Sequence, residues 1–205
     1  MIIIFTGGIG SGKTLSAVRL IIESDTFAYT NFSMKGYKDH YRLKMSDIIL
    51  NIKDEKGKIV SKTVNWGFWN KARKEHQKFS VVFDEAHNFF SSRASMSKTS
   101  QLFSNFQAQI RKLLNDSVDN HLILITQKLR RIDVNARELA HYIIECESAH
   151  IGKKTYIKQK IYSGIDNYEN GFKSGRLVFS ADKYFNYYDT RDIVTIEDIE
   201  DESYV

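Results

Sequence analysis

Residues Gly7–Thr14 read GGIGSGKT and fill the pattern G-x-x-x-x-G-K-[ST] with nothing missing. Each part has a chemical reason. Glycines let the backbone curl, so N–H groups along Gly7, Gly8, Ile9, Gly10, Ser11 and Gly12 can converge on phosphate oxygens where a Cβ would crowd the ligand. The helix expected next adds the positive end of its dipole. Lys13 offers a point charge for the β- and γ-phosphates, and the Thr14 hydroxyl offers a ligand to Mg²⁺. Leu15 completes the nucleotide-binding stretch. The chemistry is that of a cradle for a nucleoside triphosphate.

A second stretch, SVVFDEAH, ends a run of apolar residues with two carboxylates. Asp84, at the tip of a buried strand beside the cradle, is expected to hold the hydration shell of Mg²⁺. Glu85 is expected to orient or deprotonate a water attacking the γ-phosphate. Gln127 ends LILITQ and is a candidate to touch the γ-phosphate or that water, or simply to cap its strand. His87 reads equally as a partner of Glu85 or as a surface histidine.

These residues need elements to hold them. Apolar patterning predicts strands at Met1–Phe5, Phe27–Phe32, Phe79–Phe83 and Leu122–Ile125, and helices at Thr14–Glu23, Trp66–Gln77 and Ser97–Asn115. A hairpin over about 48–64 turns at Lys56-Gly57, and Glu138 opens a helical turn leading into a strand at Tyr142–Glu145. Strands Thr155–Ser163 and Arg176–Ser180 follow, separated by a turn bearing glycine and asparagine, and Tyr184–Tyr188 reads as core packing of a terminal helix ahead of a base-stacking platform. Short buried strands alternating with helices predict an α/β domain, with a mostly parallel central sheet flanked by helices. The β extension, about 155–180, is its antiparallel part. One domain spans 1–188, with an acidic tail over 189–205.

Composition narrows the class. The 205 residues are 42% hydrophobic and 27% charged, and no apolar run reaches the ~18 residues that a membrane span needs. Cys146 is the single cysteine, so an internal disulfide is excluded and a reducing compartment is expected. The net charge of +5 hides an asymmetry: Asp189–Val205 holds seven acidic residues and one arginine, leaving +11 on residues 1–188. A basic body suits a polyanionic partner. Candidate phosphate contacts are Lys128, Arg130 and Arg131 in KLRR, Lys153 and Lys154 in GKKTYIKQK, and the NKARK stretch at Asn70–Lys74.

Taken together, GGIGSGKT, VVFDEAHNFFSSR and IRKLLNDSVDNHLILITQ resemble the FtsK/HerA superfamily of DNA-pumping ATPases, nearest to its zonula occludens toxin-like and viral genome-packaging members. The resemblance covers roughly residues 1–147. It implies a RecA-like core, ATP and Mg²⁺ as ligands, and a ring, usually hexameric, acting on double-stranded DNA. It implies a catalytic glutamate and a glutamine sensor, matching Glu85 and Gln127. It also implies an arginine finger reaching the neighbouring subunit's γ-phosphate. Arg111 is the nearest match, with Arg93 and Arg137 open because NDSVDN lengthens the spacing. Toxin-like members carry a membrane-spanning segment that this sequence lacks, so packaging is expected ahead of phage assembly or export, with a virion or portal protein as partner. The expected location is the host cytoplasm or virion. Two other classes of nucleotide-binding protein call for different motifs. A guanine-reading switch would carry N-K-x-D, but Asn70–Arg73 reads NKAR, and a small-molecule or nucleoside kinase would want an arginine-rich lid, which KLRR could imitate.

Overall fold

The computed structural model describes residues 1–90, 98–114 and 117–188. In chain order its first elements are β1 (Ile2–Thr6), α1 (Lys13–Ser24), β2 (Phe27–Thr30), β3 (His40–Arg42) and α2 (Met45–Ile48). Then come β4 (Ile49–Lys53), β5 (Ile59–Val64), α3 (Trp66–Glu75), β6 (Phe79–Phe83), α4 (Lys98–Leu114) and β7 (His121–Thr126). The last are α5 (Val134–Glu138), β8 (Tyr142–Ile151), β9 (Lys154–Ser163), α6 (Gly164–Glu169) and β10 (Gly175–Ser180).

Among the described residues, eight strands form one sheet in the order β10-β9-β8-β1-β7-β6-β2-β3, while β4 and β5 pair only with each other. From β8 to β3 every pairing is parallel; β8–β9 and β9–β10 are antiparallel. β1, β6 and β7 are buried at every position, as strands covered on both faces must be. Alternation sorts their side chains. Ile2, Ile4, Val81, Phe83, Leu122 and Leu124 join Trp69, Phe103, Phe106 and Ile110 beneath α3 and α4. Ile3, Phe5, Val82, Ile123 and Ile125 meet Leu15, Val18 and Ile21 of α1. Phe83 lies among Phe89, Phe90, Phe103 and Phe106, with ring centroids 5.2 to 6.3 Å away. That packing fixes the strand end from which Asp84 projects.

The expected α/β architecture is present, with several departures; the helical turn expected to open at Glu138 instead ends there, because Asp133 caps α5 one turn earlier by accepting from the Asn135 amide. β7 lies between β1 and β6, so the acidic pair ends the second strand from the cradle rather than the one beside it. β8 continues six residues past Glu145 to Ile151, because CESAHI gains strand geometry from its ladder with β9, a pairing invisible in local propensity. A short helix, α6, occupies the segment expected to be a turn. Tyr184–Tyr188 forms no terminal helix: a 3₁₀ turn spans Phe185–Tyr187, and Tyr184, Tyr187 and Tyr188 pack against the α1-side core. Residues 189–205, including the acidic tail, lie outside the described residues, as does Arg93.

Candidate active site

The cradle joins β1 to α1. Gly7 and Gly12 adopt φ of +145° and +82°, and neither has room for a side chain. A Cβ on Gly7 would sit 2.4 Å from the Cys146 carbonyl oxygen, and one on Gly12 would sit 2.3 Å from Ile157 Cδ1. Gly8 and Gly10 face open space instead. The loop is thus pressed onto β8 and β9 on one side and open on the other. Lys13 Nζ donates to the Gly8 carbonyl at 2.8 Å, curling its side chain back over the loop. Burial lowers the pKa of this ammonium, against the attraction of Asp84 and Glu85. Ser11 Oγ is buried with no hydrogen-bond partner.

At the tip of β6, Asp84 Oδ2 accepts a hydrogen bond from Thr14 Oγ1 at 2.7 Å, and Asp84 Oδ1 accepts one from the Glu85 amide at 2.8 Å. Burial pushes the Asp84 carboxyl above the ordinary carboxylate range, although both bonds favour its charge. Asn31, just past β2, holds the Asp84 backbone from both sides. Its Oδ1 accepts from the Asp84 amide at 2.7 Å, and its Nδ2 donates to the Asp84 carbonyl at 2.9 Å.

Glu85 sits in the left-handed region at φ 48°, ψ 44°, where a non-glycine residue costs about 1–3 kcal/mol. The turn aims its carboxylate at two neighbours. Gln127 Nε2 donates to Glu85 Oε1 at 3.1 Å, and His87 Nδ1 lies 3.3 Å from Glu85 Oε2. Arg131 Nη1 in turn lies 3.4 Å from His87 Nε2. Because β7 separates β1 from β6, Gln127 stands between the cradle and the acidic pair, where an amide can touch both.

The donors present fit a magnesium nucleotide. A buried lysine and open backbone at Gly8 and Gly10 are the complement of a polyphosphate. Among the described residues no cluster of three or more His, Cys, Asp or Glu could enclose a metal. Thr14 and Asp84 would supply two hard oxygen ligands, the rest coming from phosphate and water, as Mg²⁺ commonly arranges. A cavity of about 540 Å³ opens from Gly10 and Gly12–Leu15 to Asp84, Glu85 and Gln127.

The remaining candidates fall in different places. Lys128, Arg130 and Arg131 are exposed around buried Leu129, just beyond Gln127. A recess of about 860 Å³ meets the first cavity at Gln127 and is bordered by Gly7, Gly8, Lys128, Arg130 and Arg137. Arg137 is tied there by its Nε to the Ile132 carbonyl at 3.1 Å. Arg111 is exposed near the end of α4, its charge felt at His141, which accepts from the Ile2 amide at the amino end of β1. Within this chain Arg111 therefore lies at the opposite end of the sheet from the cradle. Lys153 and Lys154 are exposed at the β8–β9 turn.

The sequence profile of the Zonular occludens toxin (Zot) family matches residues 1–190. The chain belongs to the Zot family. Among solved structures, the N-terminal domain of zonular occludens toxin from Neisseria meningitidis is similar at TM-score 0.58 and 18% identity, over 92% of this chain and 98% of that one. Genome packaging NTPase B204 from Sulfolobus turreted icosahedral virus 2, in complex with AMPPCP, is similar at TM-score 0.47 and 14% identity, over 86% of this chain and 95% of that one. No curated protein matches. In this Zot-family chain, sequence reasoning missed Asn31, whose TNF context carries no motif, and left His87 undecided. The spacing of Glu85 and His87 was the available signal for the histidine.

Proposed function

We propose that this Zot-family chain is a Mg²⁺-dependent ATPase that couples hydrolysis to the movement of double-stranded DNA, working as a ring oligomer. The observation that carries this reading is the 2.7 Å bond between Thr14 Oγ1 and Asp84 Oδ2, with Glu85 and Gln127 at the adjoining strand tips. Two chain-distant oxygens meet where a metal–triphosphate would need them.

In this reading the Gly7–Gly12 amides and Lys13 bind and orient the polyphosphate, and Thr14 and Asp84 hold Mg²⁺. The ion would neutralise charge on the phosphate oxygens. Glu85 orients a water and accepts its proton, while Gln127 restrains the Glu85 carboxylate. Lys128, Arg130 and Arg131, directly after Gln127, are placed to couple the site to DNA phosphates without reading bases. An arginine from a neighbouring subunit would complete the site, an effect of ~10³–10⁵ in rate where such fingers act. Arg111 is the proposed finger, since its position suits action across an interface rather than within a subunit; Arg93 and Arg137 are the alternatives.

The family match over residues 1–190 favours a second reading, an ATPase of phage assembly or export. Among the described residues no helix is long and apolar enough to cross a membrane. Fractionation of infected or expressing cells separates the two: export predicts the protein with membranes, and packaging predicts it with assembling particles.

The decisive assay measures ATP hydrolysis with and without linear duplex DNA, alongside the mass of the assembly with nucleotide. Stimulation by duplex together with a ring mass supports the proposal. Hydrolysis indifferent to DNA in a monomer removes the motor and leaves a plain ATPase.

A further inference from the structure

The cavity at the cradle extends beyond what phosphates and metal require. Past Thr14 and Leu15 it is walled by Ser148 and His150 of β8, Thr155 and Ile157 of β9, and Phe185 and Tyr188 of the C-terminal turn. None of these belongs to a phosphate-binding motif. They come from the antiparallel extension and from the segment that follows it.

Their chemistry differs from that of the other end of the cavity. Ile157 is 2% exposed and presses against Gly12, so its side chain forms part of the floor directly beside the phosphate loop. Phe185 is 47% exposed, whereas Tyr184, Tyr187 and Tyr188 are folded against the α1-side core. It is the aromatic ring of that run left open to solvent at the cavity. His150 Nδ1 and Thr155 Oγ1 lie 3.1 Å apart across the β8–β9 ladder, fixing the rim. At about 540 Å³ the cavity is of the size that encloses a small organic ligand.

We propose that this wall is the nucleoside subsite, with a purine base lying against the Phe185 ring and over Ile157. The inference rests on the phosphate-cradle reading. A triphosphate whose terminal phosphate faces Glu85 leaves its nucleoside beyond the first turn of α1, toward this wall. An exposed aromatic face next to an apolar floor suits a flat heteroaromatic ring, and stacking accepts it without reading its edge. The C-terminal turn thereby becomes part of the nucleotide site, although the local sequence around it marks it only as a cluster of aromatics.

Calorimetric titration with MgATP and, separately, with magnesium tripolyphosphate tests this. Wild type is expected to bind ATP more tightly than tripolyphosphate. Phe185→Ala is expected to weaken ATP about tenfold while leaving tripolyphosphate affinity within about twofold, because base stacking on an aromatic has that scale. Phe185→Tyr is expected to restore ATP binding, and far-ultraviolet melting to show each variant folded. Equal ATP affinity in wild type and Phe185→Ala overturns the subsite, as does wild type that binds the two ligands alike. If Lys13→Ala changes neither ligand, the cradle reading itself has failed, a distinct outcome.

Discussion

The carboxyl ends of β1, β7 and β6 and the tip of the β4–β5 hairpin are built on opposite terms. At the first, β1, β6 and β7 are buried along their whole length, and the side chains beyond them are held by bonds from elsewhere in the sequence. At the second, Ile52 and Val60 are 46% and 59% exposed, the register shifts between Ile52 and Lys53, and among the described residues each strand has the other as its only sheet partner. The root of the hairpin is different again, since Ile48, Ile49 and Val64 are buried in the α3–α4 side of the core. The contrast shows where a costly conformation can be kept. Glu85 stays in the left-handed region because the strand behind it is over-determined by packing, whereas the hairpin tip has no comparable surroundings to hold strain.

Several substitutions can break or sharpen that contrast. The largest effect is expected at Glu85. Glu85→Gln should lower turnover by about 10²–10⁴-fold, the range of a lost general base, while ATP still binds; chromatography of protein-bound nucleotide would find it uncleaved. Normal hydrolysis by this variant would remove Glu85 from its role. Lys13→Ala comes next, with ATP affinity expected to fall by at least about 30-fold, as for loss of a partly buried charged contact, measured by calorimetry.

A smaller effect is expected from the buried strands themselves. His121, within β7, is 3% exposed with Nδ1 3.3 Å from Ser80 Oγ. Burial, with the nearby amino-terminal charge, lowers its pKa to about 4. A base with a depressed folded pKa contributes stability above its unfolded value and loses it as pH falls. Stability should therefore drop between pH ~6.5 and ~4, by about 3 kcal/mol, and urea melts of His121→Asn should lack that share of the slope. The smallest effect is expected at the hairpin tip: Ile52→Ser and Val60→Ser should each shift stability by less than about 0.5 kcal/mol and leave ATP affinity unchanged. A large loss there would mean the hairpin is as integrated as the strand ends.

Much of the candidate site was legible because its chemistry is local. Eight consecutive residues, Gly7–Thr14, carry their own geometric requirements, and Asp84-Glu85 closes an apolar run that could only be a buried strand. The helices α1, α3 and α4 announced themselves by apolar spacing and matched expectation to within two residues. What stayed hidden depends on pairing at a distance. Asn31 clamps a residue 53 positions away, and nothing in TNF signals that. CESAHI becomes strand only because β9 lies beside it.

The sequence by itself determined that a glycine-rich loop with the G-x-x-x-x-G-K-T pattern leads into a helix, and that a carboxylate pair ends a buried strand. Spacing and residue type within a few positions are enough for both. Only the tertiary structure decided that β7 runs between those two elements, so that Gln127 reaches Glu85, and that β9 packs onto Gly12. It also decided that Phe185 turns toward the same cavity. Strand order and the approach of distant segments follow from how two apolar faces are covered at once, a condition that no single stretch of sequence contains.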